Sequence, residues 1–396
     1  MVDLALSSVA LVVFAHTQHH PPAAKEASSR FHRLLGVARV RIARLTVPEL
    51  DEQDVDACLL AVCLMGRYEG AMLNPGSLNG ADFSPLYPRW SHHDGVQAIL
   101  RVWYEKSNKN KRSPTFIVKQ TRRELIRSSI LRDLPLPGWM QDGSRFGEQG
   151  PELAYDRIVA RVVNLHHEAT KLRLETGVSA SEGERLNNEA QDLDDALHNW
   201  TANIPGPCFY QRHVITDTSP WPRKHFYSPK VYSYPEPAYS SAWCQYFAMS
   251  MIIHSARYEA LELIRWDPSV TATSQQEWHE CNARLQTSAN NLASSIPFCL
   301  GRFTVNDAEA GQPTISFNTK DEIKPGLAHS VTWPLFIASS LEGIDIELQK
   351  WFLRELASLE RTTGDGVSGC AKLLSMRCSE REKQRRNLAA IRLGSV

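Results

Sequence analysis

Two neighbouring stretches decide how this chain is read: WPLFIASSLEG, from Trp333 to Gly343, and QKWFLRELASLERTTG, from Gln349 to Gly364. The first is apolar and aromatic, opens on Trp-Pro and closes on small residues and a glutamate. Such text serves a ligand pocket, a catalytic loop or one helix of an all-helical core. Its composition fits the last best, with Pro334 expected in the first turn, where a missing N–H costs nothing. The segments 330–343, 345–362 and 367–391 are each read as helical.

Working outward, helical periodicity recurs. FHRLLGVARVRIARL, from Phe31 to Leu45, sets Leu34, Leu35, Ala38, Ile42 and Leu45 on one stripe with arginines opposite. The stretch from Asp54 to Tyr68 is apolar nearly all round, as a helix between neighbours is. Ser91 to Tyr104 starts with a capping serine and has Asp94 in the first turn, beside the positive end of the helix dipole. Glu152 to Glu175 repeats Leu153, Ile158, Val162, Leu165, Ala169 and Leu172 at helical steps. A helix from 181 to 202 stops at Ile204-Pro205-Gly206-Pro207. Tyr239 to Ile264 and Glu277 to Ile296 are further helices.

Between these lie two stretches without a sustained period. Residues 205–238 hold seven prolines and several tyrosines and are read as a long loop. Gly301 to Pro325 is polar and read as a loop or insertion. Nowhere does a period of two persist, so the expected class is all-α. The expected architecture is an irregular, solenoid-like array of paired antiparallel helices in a single large domain with long loops. The expected organisation is an N-terminal segment, 1–22, and a helical domain, 23–391. Its two halves, about 23–204 and 239–391, are joined by the Pro/Tyr-rich loop.

Composition narrows the function classes. The 396 residues carry 44 basic and 44 acidic side chains, a formal net charge of zero, which argues against nucleic-acid binding through the bulk field. Eight cysteines are scattered without a Cys-x-x-Cys pair, a pattern of reduced, buried thiols and not of zinc ligands. The opening MVDLALSSVALVVFAH lacks a basic leader and carries Asp3, so it reads as the first helix of a domain and not as a signal peptide. No apolar run reaches the length of a membrane span.

Four stretches together resemble the fungal-specific transcription factor domain, the helical region that follows zinc-cluster DNA-binding modules. They are DACLLAVCLMGRYEG, from Asp56; SHHDGVQAIL, from Ser91; LDDALHNWTANIP, from Leu193 to Pro205; and WPLFIASSLEG with WFLRELASLERTTG. The likeness spans about Ala23 to Leu374. It implies a nuclear regulatory or effector domain that contacts a second copy or the transcription machinery and accepts a small apolar effector. The chain departs from the family pattern in one respect: it has no six-cysteine zinc cluster. Direct DNA contact and zinc binding are therefore not expected of it. Either such a segment lies upstream of Met1, or this is a member without one.

Weighed singly, the other constellations point to packing. The pairs His19-His20, His92-His93 and His166-His167 lack the four-residue spacing that turns two imidazoles toward one zinc. In Trp278-His279-Glu280-Cys281 the base and thiol diverge on a helix. The basic runs at 108–112 and 381–386 carry mixed neighbours and read as solvated faces. No catalytic residue, metal site or cofactor is assigned. The candidate ligand residues are Trp243, Phe247, Trp333 and Phe336, aromatics placed to line an apolar cleft between helices. The rival reading is a small-molecule-binding or pericyclase-type biosynthetic protein built on the same helical shell.

Overall fold

Eleven α-helices, α1 to α11, account for most of the described residues in the computed structural model. Those residues are 1–45, 52–72, 87–110, 113–174, 179–204, 206–215, 222–265, 272–306, 314–318 and 322–363. The class is all-α. The expected helix at 367–391, with the basic run 381–386, lies outside the described residues, as do the side chains of 108–112. No described helix is long and apolar enough to cross a membrane.

The described chain divides into two compact units, residues 1–163 and 164–363. The first contains α1 (Val2–Thr17), α2 (Pro21–Arg44), α3 (Glu52–Met72), α4 (Tyr87–Asn110) and α5 (Phe116–Leu131), and the start of α6 (Gly150–Leu174). α1 packs against α2 and α3, and α3 packs against α4. The opening segment is thus a folded helix with Ala5, Ser8, Val12 and Ala15 buried. His20 caps α2 by accepting from the Ala23 N–H at 3.2 Å, and Pro21 fills the first helical position. Phe31 of α2 stacks on Tyr68 of α3, with ring centroids 4.1 Å apart. α4 starts a turn before Ser91, which therefore lies inside it; Pro88 sits in the first turn, where proline is tolerated.

Helix α5 is absent from the periodicity reading because its buried face carries an arginine. Arg122 is completely buried. It donates from Nη1 and Nη2 to the Asp156 carboxylate at 2.5 and 2.9 Å and from Nε to the Met140 carbonyl at 2.9 Å. Its guanidinium also lies 5.0 Å from the centre of the Phe146 ring. Beside it, Glu148 accepts from Arg123 at 2.7 and 2.6 Å, and Lys119 and Arg123 also engage Glu152. These bonds fasten two short 3₁₀ turns, Gly138–Met140 and Gly143–Phe146, to the helices.

The second unit is built on α7 (Ala180–Ala202), α8 (Pro237–Arg265), α9 (Ala272–Cys299), α10 (Pro325–Ser340) and α11 (Ile346–Thr363). α8 lies between α7 and α9. Their contacts run in opposite senses along neighbouring helices. Gly183 meets Ala260 and Ile264, Asn187 meets Arg257, and Asp194 meets His254, so α7 and α8 are antiparallel. Between α8 and α9, Arg257 meets Glu277, Ser250 meets Ser288 and Cys244 meets Cys299, again antiparallel. α10 and α11 pack on each other, and α10 packs on α8 and α9.

Both stretches read as loops contain strand pairs. β1 (Gln211–Val214) pairs antiparallel with β2 (Lys230–Ser233), and β3 (Phe303–Asn306) with β4 (Thr314–Phe317). Four residues are too few to display a period of two, which is why the strands leave no trace in the pattern. The proline placement also needs correction. α10 begins at Pro325, so Pro334 sits in the helix interior and not in its first turn.

Candidate functional site

Trp243 and Phe247, one turn apart on α8, are both buried and their rings lie 5.8 Å apart. The β1–β2 arm supplies the rest of an aromatic cluster. Tyr210 stands edge-on to Trp243 at 5.0 Å and stacks on Tyr232 at 4.5 Å. The Arg212 guanidinium lies 5.7 and 5.8 Å from the centres of the Tyr210 and Tyr232 rings. Phe209 and Tyr246 border Trp243 as well.

Polar edges of this cluster are satisfied internally. The Trp243 indole donates to the Cys208 carbonyl at 3.0 Å, and the Tyr232 hydroxyl donates to Asn291 Oδ1 at 2.7 Å. Tyr234 Oη and Ser295 Oγ share a hydrogen bond of 2.7 Å. The cluster therefore anchors the arm to α8 and α9 by stacking and by hydroxyls that replace their water with protein partners.

Trp333 and Phe336 lie on α10, which packs on α8 and α9, but neither ring contacts another aromatic ring among the described residues. Phe336 is buried, and Trp333 is partly exposed. The indole Nε1 of Trp333 is buried and, like that of Trp103, has no hydrogen-bond partner among the described residues. An indole N–H hidden from water without an acceptor is costly, and a bound acceptor group would relieve it. The four candidates thus form two pairs: one closed and internally bonded, the other holding an unused donor.

Two histidine–carboxylate pairs, one buried and one with a partly buried carboxylate, escape a sequence reading because their members are far apart in the chain. His225 Nδ1 lies 2.6 Å from Glu355 Oε2, a span of 130 residues. His254 Nε2 lies 3.3 Å from Asp194 Oδ1, and Arg284 donates to the other oxygen of that carboxylate at 2.7 Å. Burial alone would raise the Asp194 pKa, but His254 and Arg284 outweigh it and hold the carboxyl below its ordinary range. Neither pair holds a nucleophile. Cys281 donates its thiol hydrogen to the His254 carbonyl oxygen, not to the ring, and burial pushes that thiol up to about 12.

The adjacent histidines also find separate partners. His92 Nε2 lies 2.9 Å from Glu69 Oε1, while His93 is edge-on to Trp90 at 5.1 Å. Among the described residues no group of three or more His, Cys, Asp or Glu is placed to hold a metal ion. Models of known protein families, curated proteins and solved structures yield no match to this chain.

Proposed function

We propose that this chain is the helical regulatory and effector region of a fungal zinc-cluster-type transcription regulator. On this reading it works in the nucleus by packing and partner contact. One observation carries the reading: the four family-like stretches occur in the family's order. They fall on α3, α4, the end of α7, and α10 with α11. The fold class is the one that the resemblance implies, and the thiol beside His254, Cys281, is bonded to its backbone carbonyl and held protonated by burial.

The proposed effector site is the α10 pair, Trp333 and Phe336; Trp243 and Phe247, on the neighbouring α8, are already covered by the β1–β2 arm. The unused indole donor of Trp333 favours a small apolar molecule that carries one hydrogen-bond acceptor. Such a molecule shifts a helix arrangement only by its difference in affinity for two states.

A fusion of the full chain to a heterologous DNA-binding module, with a reporter, tests the regulator role. Nuclear enrichment of the tagged chain and a reporter output that differs from the module alone support it. A silent reporter, cytoplasmic confinement and unchanged transcripts on gene deletion would overturn it. Deletion that leaves transcripts intact but accumulates one unrearranged metabolite indicates the biosynthetic alternative.

A further inference from the structure

Cys244, on α8, and Cys299, the last residue of α9, bring their sulfurs to 3.4 Å. Both are free thiols, and both are buried. The two residues lie 55 positions apart, so the contact closes a long loop and joins the far ends of the α8–α9 pair. A disulfide requires the two sulfurs to close from this distance to about 2 Å.

The surroundings favour a pair over two separate thiols. Tyr234 is buried near both sulfurs, and its hydroxyl is engaged with Ser295. Pro297 lies inside the last turn of α9, two residues before Cys299. A proline there has no N–H for the carbonyl four residues earlier, so this turn lacks one helical hydrogen bond; the Leu300 and Arg302 N–H groups close it on the Ile296 and Pro297 carbonyls at 3.0 and 2.8 Å. Gly301, at φ +64°, then turns the chain away. Cys299 and the residues after it, Leu300 and Arg302, are buried, so a small oxidant reaches the sulfur only when this turn opens.

We propose that Cys244 and Cys299 are an oxidisable dithiol, a modification site that takes hydrogen peroxide and locks α8 to the end of α9 by a disulfide. In the first step the Cys299 sulfur attacks one peroxide oxygen, the O–O bond breaks, and one water leaves, giving a sulfenic acid. The Cys244 sulfur then attacks that sulfur, the S–O bond breaks, and a second water leaves. Two thiols lose two electrons in all, one peroxide is reduced to two waters, and thiol reductants reverse the change. The Cys244 thiol is held protonated by its hydrogen bond with Cys299 and by burial. A thiol held protonated is a poor nucleophile, so the second step, in which Cys244 attacks, is the slow one. This inference stands independently of the regulator reading.

Peptide mapping of the full-length chain, treated with hydrogen peroxide and then alkylated, tests it. The expected product is a peptide pair linked through Cys244 and Cys299, lost on adding dithiothreitol and absent from C244S and C299S. The oxidised wild type unfolds about 5–10 °C higher than the reduced form, because a cross-link closing a long loop restricts the unfolded chain. The proposal fails if Cys63 or Cys208 oxidises while both members of the pair stay reduced, or if either pairs with another cysteine instead. Wild-type mapping decides the matter even if the variants fold poorly.

Discussion

Arg122 and Asp156 form a two-pronged ion pair whose guanidinium is completely buried, with the Nη1 and Nη2 bonds at 2.5 and 2.9 Å. The third donor of the fork, Nε, is spent on the Met140 carbonyl. Each of the three guanidinium nitrogens thus has a partner, so the charge is tolerated in the core. Removing one partner strands the other. D156A and R122A are each expected to destabilise the chain by about 3–5 kcal/mol in urea unfolding, whereas the double variant R122L/D156L loses far less than the sum. Gly143 is part of the same device: a Cβ there would collide with the Asp156 carboxylate, which Arg122 prevents from moving aside. G143A should cost about 1–3 kcal/mol. Additive losses in the double variant would show that the pair is not the unit.

Asp194 makes stability depend on pH. Its carboxyl is held below the ordinary range despite burial, because His254 and Arg284 favour the ionised form. The folded chain therefore binds a proton there less readily than the unfolded chain. The stabilisation is fully present above the unfolded value of about 4 and is lost as pH falls through the lower folded value. D194N is expected to lower urea stability by about 1–3 kcal/mol at pH 7, since it weakens two bonds to a partly buried carboxylate. The gap between wild type and variant should close below pH 4. A gap that stays constant from pH 7 to pH 3 would count against the assignment.

The sequence carried the helices because their apolar spacing is a local property. Leu153 to Leu172 in α6 are legible from 3.6-residue steps alone; in α2 the expected stripe holds for Leu34 and Ala38 but not for Leu35, which is exposed because the buried face runs through Phe31, Leu34 and Ala38. α5 was not, since the buried face includes Arg122, and a charge on an apolar stripe hides the period until its partner 34 residues away is known. The β1–β2 arm was hidden for a related reason. Its strands are four residues long, and they are held by pairing and by Tyr210, Tyr232 and Tyr234, not by a period of their own. Aromatic content singled out Trp243 and Phe247 as residues of a cleft, and they lie in an aromatic cluster with Tyr210. It could not mark His225 or Glu355, because nothing local distinguishes a histidine that will meet a carboxylate 130 residues on.

The α7–α8 packing depends on the absence of a side chain. A Cβ at Gly183 would lie 2.9 Å from Ile264 Cγ1 and 3.2 Å from the Ala260 carbonyl oxygen, and the second atom is backbone that does not swing away. Helix propensity favours alanine over glycine by roughly 1 kcal/mol, so G183A gains from the helix what it loses to crowding and is expected near neutral. G183V adds two methyl groups to the same gap and should cost about 2–3 kcal/mol. Urea midpoints for the two variants separate these contributions. A stable G183V would mean that α7 sits farther from α8 than the contacts with Ala260 and Ile264 indicate.

His225 tests whether strain or pairing governs the α11 contact. Its backbone is left-handed, φ 69°, a region that a non-glycine residue enters at a cost of about 1 kcal/mol or more. Its ring is bonded to Glu355, and both residues are buried. H225G therefore removes the strain and the bond together. The first change stabilises by roughly 1 kcal/mol, while leaving a buried carboxylate without its partner costs about 2–4 kcal/mol, so pairing wins and the variant is net destabilised. Adding E355L removes the orphaned charge and keeps the relief of strain. H225G/E355L is thus expected to be more stable than H225G. If H225G alone equals or exceeds the wild type in urea, the bond contributes less than the backbone strain, and α11 is held by Leu348, Phe352 and Leu359 instead.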